Sequence, residues 1–88
     1  MAGARTHSRR DIGKELLGAK IRELIALAVA ATSRCDGCIT VHTEAAHKTG
    51  ATKEEIAEAL GVAVSVNAGA ALVYSTRTLD AFDAASNA

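Results

Sequence analysis

The stretch LLGAKIRELIALAVAATSRCDGCITVH, residues 16–42, decides the expected fold and carries the reactive side chains. Apolar residues recur in its first half at the spacing of one helix face: Leu17, Ile21, Leu24, Ile25 and Ala28. This pattern predicts a first helix from about Gly13 to Ser33. The part of that helix from Leu24 to Ala31 is apolar on all sides, which indicates a buried end.

Three further helices are predicted after this stretch. The second begins near Cys35 and runs to about Lys48, because Gly50 then supplies a stop. Thr52 and Glu55 form a T-x-x-E capping box, which opens a third helix. The alternating valines of this segment also fit a strand, but the flanking alanines and the capping box favour a helix; these valines are Val62, Val64 and Val66.

A turn at residues 67–69, Asn-Ala-Gly, is predicted to lead into a fourth helix. Residues 59–76 carry no charge, and we expect them to form a buried helical hairpin rather than a membrane span. The expected architecture is all-α. It consists of a flexible polar tail, residues 1–12, and one compact antiparallel helical domain, residues 13–88.

Composition and charge restrict the partners. Ten Lys and Arg residues balance ten Asp and Glu residues, so no basic face is available for nucleic acid. Twenty of the 88 residues are alanine and only two are aromatic, which predicts a thin core and help from a second subunit. No apolar signal segment follows the early arginines, so we expect a cytoplasmic protein without a membrane partner.

The chemistry is expected to lie in residues 35–42, where Cys35, Cys38 and His42 fall on one face of a helix. Cys35 stands at the helix N-terminus, where free N–H groups and the helix dipole favour a thiolate. The thiolate is the nucleophilic form of cysteine. The C-x-x-C spacing also allows the two sulfurs to form a disulfide. The segment therefore offers a reactive thiol, a second thiol that can resolve its oxidised form, and the His42 imidazole as a proton acceptor.

Glu23 is a fourth candidate because apolar residues flank it on the helical wheel. A desolvated carboxylate is either paired or used in acid–base chemistry, although a partly exposed glutamate at a helix flank fits the same wheel. Zinc bound by the cysteines and His42, with Glu23 or His47 as fourth ligand, is a further alternative. An inert cysteine pair is another. Redox chemistry is favoured, and neither a metal nor another cofactor is expected.

The pattern E-x(11)-C-x(2)-C-x(3)-H, which runs from Glu23 to His42, resembles that of the alkylhydroperoxidase D-like, or carboxymuconolactone decarboxylase, family. The later stretch GATKEEIAEAL, residues 50–60, is similar to the usual continuation of that family. The resemblance implies an all-α fold that assembles as trimers or hexamers. It also implies a peroxidase that cycles between dithiol and disulfide.

In the scheme that the resemblance implies, Glu23 and His42 relay a proton from Cys38, which attacks the peroxide and becomes a sulfenic acid. Cys35 then condenses with it, and a dithiol reductant such as a lipoylated protein restores the pair. Two alternatives remain: a carboxymuconolactone decarboxylase-like activity and a non-catalytic helical assembly module. The decarboxylase branch typically lacks the cysteine pair, so the pair favours redox chemistry.

Overall fold

The computed structural model describes residues 16–87 and contains three helices in that range. We name them α1 (Ala19–Thr32), α2 (Asp36–Lys48) and α3 (Lys53–Ser86). Helix α1 packs against both of the others, and no strand occurs within residues 16–87. The all-α class is confirmed. The predicted tail, residues 1–12, lies outside the described residues, and the division into tail and domain stays a prediction.

Helix α1 begins later than its apolar pattern predicted. Leu16 and Leu17 form a bend, and Gly18 has a φ of 82°, outside the range of a right-handed helix. The Gly18 carbonyl accepts the N–H of Arg22 at 3.2 Å, so Gly18 caps the helix from outside. The predicted helical conformation of residues 16–18 is therefore wrong. The spacing of apolar residues that includes Leu17 fits a helix, but it carries no information about the backbone conformation of Gly18.

A tight turn joins α1 to α2. The Arg34 N–H donates to the Ala31 carbonyl at 3.3 Å, and the Cys35 N–H donates to the Ala30 carbonyl at 3.0 Å. These two bonds form a Schellman motif, in which the residue after the cap adopts a left-handed conformation. Arg34 does so, with a φ of 54°, at a cost of about 1–2 kcal/mol for a side chain other than glycine.

The turn between α2 and α3 repeats this motif and then starts the next helix. The Gly50 N–H bonds to His47 and the Ala51 N–H bonds to Ala46, and Gly50 has the left-handed φ of 88°. Thr52 and Glu55 then exchange bonds as a capping box. The predicted stop at Gly50 and the predicted capping box are both confirmed.

Glu55 also links α3 to α1. Its carboxylate accepts the Thr52 N–H at 2.9 Å and the Lys20 ammonium at 2.9 Å. The backbone bond from Thr52, followed by the bond from Lys20, holds the pKa of Glu55 below its usual value. The stability from these bonds is therefore present above the ordinary glutamate pKa and is lost as the pH falls through the lowered one.

Helix α3 is continuous, so the predicted turn at residues 67–69 and the separate fourth helix are wrong. Asn67 donates its side-chain N–H to the Ala63 carbonyl of the same helix at 2.7 Å, which satisfies the amide without a break. Gly69 costs an interior helix about 1 kcal/mol, and the surrounding alanines have the best helix propensity. Because proline is absent, nothing else interrupts the helix.

Burial in the described part of the chain is confined to a few side chains, Leu27, Ala30 and Ala46. Helix α3 contributes no buried residue, so the predicted burial of residues 59–76 is also wrong. Among residues 16–87, α3 is the one helix whose length and composition would allow it to cross a membrane, and none of its apolar window is buried. Large side chains stay exposed on it, including Leu72, Leu79 and Phe82.

We expect Thr52→Ala to lower the free energy of unfolding by about 1 kcal/mol, because the Glu55 N–H at the start of α3 loses its acceptor. Urea unfolding followed by circular dichroism at one fixed protein concentration measures this. Thr78→Ala is the matched control, since its hydroxyl bonds only to the Tyr74 carbonyl within α3. Equal losses in both variants would contradict the role of the cap.

Candidate redox site

Cys35 is fixed by both helices that it joins. The Cys35 N–H donates to the Ala30 carbonyl and so completes the Schellman motif at the end of α1. Cys35 is also the N-cap residue of α2. The Cys35 sulfur accepts the backbone N–H of Cys38 at 3.2 Å, where a serine, threonine or aspartate oxygen is the usual cap. Helix α2 thus starts where it was predicted, and the Cys35 sulfur lies next to the N–H groups of its first turn.

The two cysteine sulfurs are bonded to each other. The Cα atoms of Cys35 and Cys38 lie 5.2 Å apart, within the usual range for a disulfide. Both residues are half-buried, so one side of the pair remains open to solvent. The first turn of α2 therefore brings together the two thiols that the spacing predicted.

Glu23 and His42 meet across the packed faces of α1 and α2. The Glu23 Oε1 lies 2.6 Å from the His42 Nδ1, and the side chains are 23% and 35% exposed. An ionised carboxylate only accepts, so the proton of this bond belongs to Nδ1. In the neutral ring, Nε2 then carries the lone pair and can take a proton.

The four predicted site residues form two bonded pairs, Cys35–Cys38 and Glu23–His42, which the helical spacing of α2 relates to each other. Cys35 and Cys38 are linked by their sulfurs, and His42 follows Cys38 by one turn on the same face of α2. Glu23 joins this group from α1 through His42. When reduced, such a thiol pair can give up two electrons on forming its disulfide, and the neighbouring imidazole can take a thiol proton.

His47 is not part of this group. It lines a shallow depression on α2 with Thr43 and Glu44 and is exposed. Within residues 16–87, no three side chains of the types that bind metals are grouped to hold an ion. In the disulfide form, moreover, the two sulfurs are bonded to each other. The geometry therefore supplies no observation in favour of the zinc alternative.

Sequence reasoning missed two features near the site. The Lys20–Glu55 ion pair ties α1 to α3 one turn before Glu23, and pairs this far apart in sequence leave no local signal. Arg34 also lines a groove between the end of α1 and the middle of α3. The absence of glycine from the turn before Cys35 was the available hint, because that position ordinarily favours glycine.

Residues 1–81 match the carboxymuconolactone decarboxylase family, and the chain belongs to it. The family includes enzymes. The fold and the resemblance of residues 23–42 agree with this membership.

Three curated relatives have no assigned activity. One is an uncharacterised protein of Cupriavidus necator, 38% identical over 68 residues, which cover 77% of this chain and 60% of the relative. Another is uncharacterised protein 4 in the cox locus of Paracoccus denitrificans, 40% identical over 76% of this chain and 60% of the relative. A protein of Haemophilus influenzae is 57% identical over 76% of this chain and 59% of the relative. The match thus spans about 60% of the length of each relative.

We expect the Cys35–Cys38 bond to be reversible. Treatment of the reduced protein with a small excess of peroxide should lower the intact mass by about two units, because two hydrogens are lost. Dithiothreitol should restore the original mass. The Cys35→Ser variant is the control and should not lose this mass. Oxidation that only adds oxygen atoms, with no link between the cysteines, would contradict the prediction.

Proposed function

We propose that this chain is a thiol-dependent alkyl hydroperoxidase, that is, a disulfide oxidoreductase that reduces peroxides. The observation that carries the proposal is the Glu23–His42 bond of 2.6 Å, placed one turn from Cys38 of a bonded cysteine pair. An isolated structural disulfide needs no oriented imidazole beside it. The family includes enzymes, which supports a catalytic role.

The proposed reaction starts from the reduced pair. His42, held by Glu23, takes the thiol proton of Cys38, and the thiolate attacks the terminal oxygen of the hydroperoxide. The O–O bond breaks, and the leaving alkoxide takes the proton from His42 and departs as an alcohol. Cys38 is then a sulfenic acid. The Cys35 thiol attacks its sulfur, the S–S bond forms, and water leaves.

The cycle needs a dithiol that supplies two electrons. We propose an external dithiol, such as a lipoyl group on a partner protein, because the chain contains no third cysteine. Thiol–disulfide exchange would pass through a mixed disulfide, and the half-exposed pair is accessible for this attack. Such a cycle suits the reducing cytoplasm, and it requires neither a metal nor another cofactor.

We expect Glu23→Gln to lower the rate of peroxide consumption by roughly a hundredfold, because the amide no longer supports the charged imidazole. The melting temperature should hardly fall, since the amide keeps the shape and removes a partly desolvated charge. A coupled assay with a dithiol and an alkyl hydroperoxide measures the rate.

Glu58→Gln is the matched control, because Glu58 is an exposed glutamate of α3 and should leave the rate unchanged. Trapping of the sulfenic acid in each Cys→Ser variant assigns the attacking sulfur. Trapping at Cys38 in Cys35→Ser is the expected result. Normal turnover in Glu23→Gln with a large loss of stability would show that Glu23 serves the fold instead.

We also propose that the chain works as a homo-oligomer, a trimer or hexamer. The exposed apolar side chains of the second half of α3 support this, because soluble proteins seldom leave such patches uncovered; they include Leu72, Val73, Leu79 and Phe82. Homo-oligomers close by rotational symmetry, which fits either state.

Light scattering after size exclusion should give about 27 or 54 kDa, three or six times the 9.0 kDa chain. Leu79→Glu should dissociate the assembly, because a charge would have to be buried. Thr78→Glu adds the same charge one position away and should dissociate it less. A stable soluble monomer, or a monomer that sediments only with lipid vesicles, would contradict the proposed assembly.

A further inference from the structure

The groove between the end of α1 and the middle of α3 combines hydrocarbon surface with a cationic side chain. Its walls are mainly aliphatic and include Ala31, Leu60, Ala63, Val64 and Ala68. Arg34 also lines the groove, and its guanidinium has no hydrogen bond or ion pair with any residue in the described range, 16–87.

Two other polar side chains of the groove bond to backbone carbonyls of their own helices. The Thr32 hydroxyl donates to the Val29 carbonyl at 2.9 Å, and the Asn67 side-chain N–H donates to the Ala63 carbonyl at 2.7 Å. Arg34 is the charged residue among those that line the groove, and its guanidinium donors make no bond within residues 16–87. A guanidinium offers two parallel N–H groups that match the two oxygens of a carboxylate.

The stability of the turn does not explain an arginine at position 34. Arg34 holds the left-handed conformation that glycine adopts without strain, and Gly50 occupies the equivalent place after α2. A positive charge near the C-terminus of α1 compensates part of this cost through the helix dipole. What the position gains over glycine is a cationic side chain at an apolar groove, directly before Cys35 in the chain.

We propose that this groove binds a long-chain carboxylate, with the hydrocarbon chain against α1 and α3 and the carboxylate paired with Arg34. The segment of α3 from Leu60 to Ala68 rises by about 12 Å, so the apolar wall is long enough for an extended alkyl chain. The two parts of the ligand match the two parts of the groove. The inference concerns binding alone, and it goes beyond the proposed peroxidase cycle.

Calorimetric titration of the reduced full chain with decanoate, below the concentration at which it forms micelles, tests the proposal. We expect one decanoate per chain. Arg34→Gly should weaken binding about tenfold, the range of one charge-assisted pair. Arg34→Lys should weaken it less, because the charge remains and the paired donors are lost.

Two controls separate charge pairing from general effects. Decyltrimethylammonium has the same chain with the opposite charge, so Arg34→Gly should not weaken its binding. Arg77→Ala removes a distant cation that lies over the Tyr74 ring, 4.4 Å from its centre, and should leave decanoate affinity unchanged. Arg34→Gly should also keep or raise the melting temperature, because glycine relieves the left-handed strain.

Three results would overturn the proposal. The first is equal decanoate affinity in the wild type and in Arg34→Gly. The second is the same loss of affinity in Arg77→Ala, which would indicate diffuse attraction to positive charge. The third is a change of oligomeric state in Arg34→Gly without loss of decanoate binding, which would assign the groove to a second copy of the chain. Failure of the peroxidase assay would leave these results unaffected.

Discussion

The three-residue turn between α1 and α2 is the constraint on which the rest of the structure depends. Its Schellman bonds to the carbonyls of Ala30 and Ala31 end α1, and Cys35, which completes them, is also the N-cap of α2. The Cys35 sulfur therefore accepts the Cys38 N–H, and no flexible loop lies between the end of α1 and this contact. Because one turn both reverses the chain and positions the sulfur, the geometry of the cysteine pair depends on the same backbone bonds as the packing of α1 and α2.

Helix α1 is the structural centre, and polar bonds tie it to both neighbours. Glu23 bonds to His42 of α2, while Lys20, one turn earlier, bonds to Glu55 of α3. Partly exposed ion pairs contribute little stability, typically below about 1 kcal/mol. Their main effect here is geometric, since they fix the rotation of α1 against its neighbours. The position of the His42 ring follows from that rotation.

The candidate site could be predicted from the sequence to the extent that it depends on local spacing. Cys35, Cys38 and His42 share a face because α2 is helical, and the N-cap position follows from where that helix begins. Glu23 needed the family resemblance as well, because no local rule brings residue 23 to residue 42. Arg34 and the Lys20–Glu55 pair were missed, since a groove and an interhelical bond depend on how whole helices pack.

The error at residues 67–69 has a different cause. Asparagine and glycine are typical of turns, so residues 67–69 predict a break, and the uncharged residues 59–76 fit a buried hairpin better than a membrane span. An alanine-rich segment without proline stays helical through one asparagine and one glycine, and the loss of burial does not prevent this. Composition indicates correctly that α3 is apolar. It does not indicate whether the surface that packs against α3 belongs to the same chain or to another molecule.

The lengths of the helices explain why residues 16–87 do not provide that surface. Helix α1 has 14 residues and α3 has 34, or about 21 Å and 51 Å. Because Lys20 lies opposite Glu55 and both helices rise equally, Thr32 is level with about residue 67. Helix α2 does not pack on α3 within residues 16–87. The second half of α3 therefore extends beyond every described helix, and only a partner outside residues 16–87 can cover its apolar side chains.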